Sequence, residues 1–199
     1  LLNPWEDCPE AVTAMPEVSE AEGLPGCLAL PRRRDFPGPS TFEELELYPY
    51  YLLDGASVMA ARAMEVADGD RVLDMCSAPG GKTFALTHGL GAKGELVAND
   101  IDDRRRLKLK RTLDRYLPEQ VRDRVSLTGQ DATRWSARER DAYDRVLVDA
   151  PCSSERHLLH QGSMIDRWNE WRTEEMARTQ YAMLSGALDV VKPGGRVVY

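Results

Sequence analysis

Cysteine is scarce in this chain: four residues in 199, at positions 8, 27, 76 and 152, with no two of them in a CxxC pair. The spacing gives neither a zinc site nor a disulfide framework, so no metal is expected and a reducing compartment is the simpler setting. Long apolar runs are missing as well. None approaches the roughly 18 residues that cross a bilayer, and no charged-then-apolar signal opens the chain, so a membrane is not an expected partner. The sequence begins at Leu1 rather than Met, which leaves open a targeting segment removed or left out. A GxGxxG turn is also lacking, and Pro79 stands where a pyrophosphate-binding loop needs its first flexible residues. That argues against a nicotinamide enzyme.

Basic residues are few at the front. Residues 1–49 hold ten carboxylates against Arg32, Arg33 and Arg34, which accounts for the whole formal charge of -7, and residues 50–199 balance at 23 of each sign. The same front stretch takes eight of the twelve prolines. Residues 1–47 therefore read as an acidic, Pro-rich leader, extended or loosely packed, ahead of a domain over 48–199. Acidity confined to a leader is weak evidence against nucleic acid, because a neutral body binds phosphate through a local basic patch. Within the leader, PRRRDFPGPS at 31–40 is a candidate for contact with an RNA backbone, and a solvated linker is the equal alternative.

The rest of the chain is organised around RVLDMCSAPGGKT at 71–83. Val72, Leu73 and Met75 form an apolar run too short for a helix, Asp74 adds a carboxylate, and Pro79-Gly80-Gly81 makes a turn before a helix-forming segment. This is a strand delivering a carboxylate to a glycine turn. Glycines there let the backbone come close to a bound molecule, and the next helix opens with N–H groups facing back. Ahead of it, YYLLDGAS leads into a helix capped by Asp54, with Met59, Ala63 and Val66 on one face.

Beyond the turn the spacing predicts a helix over 83–90 and a second strand over 95–99, whose Leu96, Val97 and Ala98 suit a parallel strand covered on both faces. A helix follows over 102–117, with Leu107, Leu109, Leu113 and Leu117 apolar and Arg104, Arg105, Arg106, Lys108, Lys110 and Arg111 on the exposed arc. Such a run is usually a solvated face; RNA phosphate contact by part of it is the functional reading. A weaker third strand over 124–128 and a strong fourth over 143–149 come next. A loop then carries His157, His160, Trp168 and Trp171. The helix over 173–191 has Met176, Tyr181, Leu184, Leu188 and Val191 along one side, and after Lys192-Pro193-Gly194-Gly195 a fifth strand begins at 196.

Alternating strands and helices specify an α/β doubly wound parallel sheet with its ligand crevice at the carboxyl ends of the strands. Those ends carry Asp74, Asp100, Asp131 and Asp149. Each alone is readily a loop cap, but four together suit a ligand with several hydroxyls and a positive charge. S-adenosylmethionine fits: its ribose suits Asp100, its adenine amine the Asp131 region, and its amino-acid end the turn at 76–82.

DMCSAPGGKT at 74–83, AND at 98–100, DRVLVDAPCSS at 144–154 and KPGGRVVY at 192–199 resemble, in order and spacing, the Sun/Nop-type RNA cytosine-5 methyltransferases. The likeness covers residues 48–199. YYLLDGAS and ERH at 155–157 resemble the mitochondrial ribosomal-RNA branch of that family. The resemblance implies a Rossmann-like class I methyltransferase fold, S-adenosylmethionine as cofactor, and ribosomal RNA as substrate with transfer RNA as the other option. It also implies a mitochondrial location and a place for a protein partner in ribosome assembly. Carried over by position, Gly80, Gly81 and Lys82 match the cofactor loop, Asp100 the ribose carboxylate, Arg105 the arginine of the following helix, and Asp131 with Ala132 the adenine side. Asp149 matches the aspartate between the methionine moiety and the target base.

The chemistry expected of such a site starts from the inertness of cytosine C5. A cysteine thiolate adds to C6, C5 takes the methyl, and loss of the C5 proton lets the thiolate leave. The base must be unstacked, in a loop, single-stranded or flipped out. Chemically, Cys152 is the obvious nucleophile; the resemblance instead gives it product release and places the attacking cysteine in a Ser-Thr-Cys segment beyond Tyr199. The sequence is therefore expected to be a fragment or a truncation, with five of seven strands and an exposed sheet edge that makes it poorly stable. Cys76 reads as packing. The alternative from another class is a noncatalytic RNA-binding or assembly factor that keeps the fold.

Overall fold

The computed structural model describes residues 1–30, 36–152 and 170–199. Arg32, Arg33 and Arg34 of the leader, and the ERH segment with His157, His160 and Trp168, lie outside the described residues.

The leader carries α1 (Glu10–Thr13) and a short antiparallel pair, β1 (Ser19–Glu20) and β2 (Leu28–Ala29). After it come α2 (Gly55–Ala63), β3 (Arg71–Asp74), α3 (Gly81–Thr87), β4 (Glu95–Asn99), α4 (Asp103–Tyr116), α5 (Glu119–Arg122), β5 (Val125–Thr128), a 3-10 segment at Ala132–Ala137, β6 (Tyr143–Leu147), α6 (Glu170–Val190) and β7 (Val191–Val198). The five long strands are all parallel, in the order β5-β4-β3-β6-β7. The chain runs outward from β3 to β5, then returns to build β6 and β7 on the other side. The reversal between β3 and β6 is the switch point at which such sheets bind ligands.

Both faces of the sheet are covered. Val72, Phe84, Leu96, Leu109 and Leu113 belong to one core, and Leu73, Trp135, Tyr143, Val146 and Ala187 to the other. Neighbours Val72 and Leu73 point into different cores, as the two-residue period of a strand requires, and both are fully buried. Among the described residues no helix is long and apolar enough to cross a membrane.

Three apolar stripes fall differently from the sequence pattern. In α2 the buried residues are Val58 and Ala61, while Met59 is 62% exposed. In α4 the inward stripe is Leu109, Leu113 and Tyr116, followed by Leu117, and Leu107 is half exposed. Residues 107 and 109 stand about 200° apart around a helix, so one face cannot hold both. In α6 the buried side is Met183, Ala187 and Val190, with Tyr181 and Leu188 turned out. Its two candidate stripes differ by one residue. The inward stripe shares a core with Ala132 and Trp135 of the 3-10 segment.

The leader also differs from an extended, loosely packed segment. The Leu1 ammonium donates to Tyr51 O at 3.0 Å, Leu2 bridges Tyr50, and the buried Asn3 amide donates to both Tyr48 O and Tyr116 O. Trp5 meets Phe84 and His88 edge-on. Burial holds that histidine neutral, its pKa lowered to about 4. The last strand departs from expectation as well. Tyr143 pairs with Val191, but Arg145 pairs with Arg196, so Lys192 to Gly195 are accommodated as an irregularity inside β7.

Candidate functional site

The site is built from the carboxyl ends of β3, β4 and β6. Asp74 closes β3 and is fully buried. Its Oδ2 accepts from Thr83 Oγ1 at 2.7 Å, and its Oδ1 has no hydrogen-bond partner. Burial raises the carboxyl from its ordinary value to about 7, helped by the nearby Asp149 and opposed by the Thr83 bond. After it the chain turns tightly: Ser77 Oγ donates to Asp74 O, the Ala78–Pro79 peptide is cis, and Gly80 has φ of 113°. A Cβ on Gly80 would stand 3.0 Å from Thr112 Cγ2 and 3.1 Å from Leu109 Cδ1. The positive φ and the wedge against α4 thus demand glycine at this position, in addition to any need for close approach by a ligand.

Asp100 follows β4 and is 2% exposed. Its Oδ1 accepts from Asp102 N at 3.0 Å. Its Oδ2 lies 3.4 Å from the Arg105 guanidinium but makes no hydrogen bond of acceptable geometry. Arg105 gives its other amino group to Ala78 O at 2.7 Å, so it braces the turn against the carboxylate. Asn99, absent from the sequence-level candidates, is completely buried. Its amide donates to Met75 O and Gln130 O, and its Oδ1 accepts from Gln130 N and Thr128 Oγ1. One side chain therefore ties together the ends of β3, β4 and β5. The only signal in the sequence is a polar residue ending an apolar run, which reads equally well as a strand terminator.

Lys82, in the first turn of α3, reaches Asp149 beyond β6 with Nζ 2.6 Å from Oδ2. Asp149 is half exposed, and Cys152, three residues on, is exposed. Cys76 is half-buried between them and the core, 3.9 Å from Met183 Sδ. Burial pushes its thiol up to about 12, with Asp74, Asp100 and Asp149 adding to the effect. That thiol is no nucleophile near neutral pH. Asp74, Asp100 and Asp149 belong to the ends of three adjacent strands, β3, β4 and β6. Asp131, after β5, caps the 3-10 segment, its Oδ1 accepting from Thr133 N and Oγ1, and the following Ala132 is buried. A cavity of about 320 Å³ opens over Asp74, Ser77, Lys82 and Asp149, walled on the far side by Tyr51 and Leu53.

The buried orphans Asp74 Oδ1 and Asp100 Oδ2 suit a ligand that brings donors or positive charge to both, since an unmatched buried carboxylate oxygen is costly. A ribose diol and a cationic amino-acid end meet that requirement, and a bare phosphate does not.

Residues 61–199 match the family described as 16S rRNA methyltransferase RsmB/F. The 5-cytosine rRNA methyltransferase NSUN4 of Bos taurus is 42% identical over 165 residues, 81% of this chain and 43% of that protein. The tRNA (cytosine(34)-C(5))-methyltransferase, mitochondrial, of Danio rerio is 41% identical over 158 residues, 77% of this chain and 42% of that protein. The crystal structure of NSun6 from Pyrococcus horikoshii with SFG covers 75% of this chain and 36% of its own at 29% identity, with a TM-score of 0.60. The chain thus spans about two fifths of the length of the curated relatives it matches.

Proposed function

The chain belongs to the RsmB/F family of 16S rRNA methyltransferases, and we propose that the protein transfers a methyl group from S-adenosylmethionine to C5 of a cytosine in ribosomal RNA. The observation that carries this reading is the pair of orphaned, buried carboxylate oxygens at the switch point, set beside the Lys82–Asp149 ion pair. Ribosomal RNA is favoured over transfer RNA by the family description and by the bovine relative's name, whereas the Danio rerio relative's name supports a mitochondrial location.

S-adenosylmethionine supplies a methyl group on a sulfonium that leaves as a neutral thioether. Asp100 holds the ribose hydroxyls through Oδ2, with Arg105 fixing its orientation. Asp131 and Ala132 border the adenine. Asp74 faces the positively charged amino-acid end, and Gly80 and Gly81 shape the turn beneath it. Lys82 and Asp149 meet the target base: the ammonium, held by the carboxylate, stabilises negative charge that develops on the ring when a thiolate adds to C6. S-adenosylmethionine, when bound, would supply the methyl carbon to C5 as its own C–S bond breaks, and loss of the C5 proton to solvent water would then let the ring electrons expel the thiolate. Cys152 assists that release, and the cysteine that attacks C6 is the one the family resemblance puts after Tyr199.

Labelled methyl donor and ribosomal RNA, followed by digestion and mass spectrometry for 5-methylcytosine, test the activity in the full-length protein. With Cys152→Ala in that protein, denaturing gels are expected to reveal accumulated covalent protein–RNA adduct. An inert, adduct-free variant would make Cys152 itself the nucleophile. RNA binding with no methyl transfer at all would return the noncatalytic reading.

Asp74 adds a pH dependence. A cation seated there favours the ionised carboxylate, so binding expels the proton from a group whose pKa in the folded chain is about 7. Affinity for S-adenosylmethionine is expected to fall below pH 7, approaching about tenfold per pH unit, and to level off above it. Asp74→Asn should flatten the profile in calorimetric titrations; an unchanged profile removes Asp74 from the cation's seat.

A further inference from the structure

A second cavity, of about 600 Å³, lies against α4. Tyr48, Tyr51, Leu52, Arg111, Thr112 and Arg115 line it. Tyr51 and Leu52 also line the cavity over Asp74 and Asp149, so the two spaces share a wall. Thr112 Oγ1 donates to Pro79 O at 2.8 Å, in the turn itself. The second cavity is therefore a neighbour of the first, on the other side of Tyr51 and Leu52.

Its chemistry differs from that of the carboxylate-lined pocket. The Tyr48 ring stands edge-on to Tyr116, with centroids 5.3 Å apart, and the Arg115 guanidinium lies 5.5 Å from its centroid. An aromatic ring with a guanidinium over it is a platform for a nucleobase. Arg111 and Arg115 are exposed.

The charges on α4 divide into two sets. Arg105 pairs with Asp100, Arg106 with Asp103, and Lys110 with Asp114. Among the described residues no ion pair engages Arg104, Lys108, Arg111 or Arg115. These four fall at i, i+4, i+7 and i+11, one stripe of the helix about 16 Å long. The stripe lies opposite the buried Leu109, Leu113 and Tyr116, where any exposed charge would fall, and its distinction is that none of the four is in an ion pair among the described residues and that its C-terminal end, Arg111 and Arg115, lines the aromatic cavity. Phosphates of an extended strand suit that arrangement.

We propose that this cavity holds the nucleotide of single-stranded RNA next to the cytosine to be methylated, its base against Tyr48 and Arg115 and its phosphates along Arg111 and the α4 stripe. The assignment rests on the methyltransferase reading above. A target base out of its stack leaves its neighbour unpaired, with both a π face and a flexible backbone to offer.

Fluorescence anisotropy of this chain with a short single-stranded RNA of mixed sequence, across a salt series, tests the assignment. Arg111→Ala with Arg115→Ala is expected to weaken binding about tenfold or more at low salt and to reduce the slope of log affinity against log salt by roughly 1.4, the share of two phosphate contacts on a single strand. Tyr48→Leu, which keeps the apolar volume but not the ring, is expected to lose about fivefold with the slope unchanged. The thermal unfolding midpoint of the arginine variant should match the parent, while Tyr48→Leu, which gives up the edge-on contact with Tyr116, should fall by a few degrees and still be folded at the temperature of the titration. Affinity and slope unchanged in the arginine variant, a duplex of the same sequence bound as tightly as the single strand, or no measurable RNA binding by the parent chain each overturns the proposal. S-adenosylmethionine binding, measured separately by calorimetry, is expected to be unaffected by these substitutions. Its absence in the parent would count against the methyltransferase reading, independently of the anisotropy result.

Discussion

Asp100→Ala is expected to weaken S-adenosylmethionine binding by about a hundredfold or more. The side chain is 2% exposed, and its Oδ2 has no hydrogen-bond partner. Two hydrogen bonds from ribose hydroxyls to a buried carboxylate are each worth about 1.5–3 kcal/mol, and together they set that factor. The substitution also frees Arg105, whose remaining bond to Ala78 O keeps the turn in place. Asp100→Asn retains the shape and one acceptor, and should lose about tenfold. Isothermal titration with folded variants decides the matter. An affinity unchanged in Asp100→Ala would move the ribose elsewhere and take the site assignment with it.

The largest loss of stability is expected from Asn99→Ala. The alanine leaves Met75 O without its partner in the interior, and Gln130 O, Gln130 N and Thr128 Oγ1 without theirs at its partly exposed edge. Stranded polar groups of this kind cost about 1–3 kcal/mol each when water cannot reach them, so a total of about 3–5 kcal/mol allows for partial relaxation. Asn99→Asp should be no better. It loses both donors and sets a new carboxylate next to buried Asp100 and near Asp74. Urea unfolding midpoints measure both, and a shift within experimental scatter of the parent would mean that the strand ends hold together without this side chain.

These two residues also mark how far the sequence could be read. The sheet was legible because its strands are short apolar runs ended by carboxylates, and β4 begins and ends at the residues the pattern selects. Asp74 and Asp100 could be placed at one edge from that pattern alone. Their burial, and the lack of a hydrogen bond on one oxygen of each, could not, since both depend on how the turns after β3 and β4 fold back to set Thr83, Asp102 and Arg105 against them. Asn99 escaped for the same reason: its four partners lie 24 to 31 residues away. The face of α6 went astray by one residue and that of α2 fell on Val58 and Ala61 rather than Met59 and Ala63, because each carries two apolar stripes and only the packing partner chooses between them. Asp131 has a local role that its position along the chain does not reveal: its Oδ1 accepts from Thr133 N and Oγ1 and caps the 3-10 segment.

The contact between Gly80 and α4 has one more consequence. The turn does not stand clear of that helix: Thr112 bonds Pro79 O, and Leu109 and Thr112 press on Gly80. The glycine turn and the arginine stripe of α4 are thus joined by direct contact. Any displacement of α4 on one side is felt as a change of backbone position on the other. Coupling of this kind is reciprocal, so whatever factor the donor applies to affinity for nucleic acid, the nucleic acid applies to the donor.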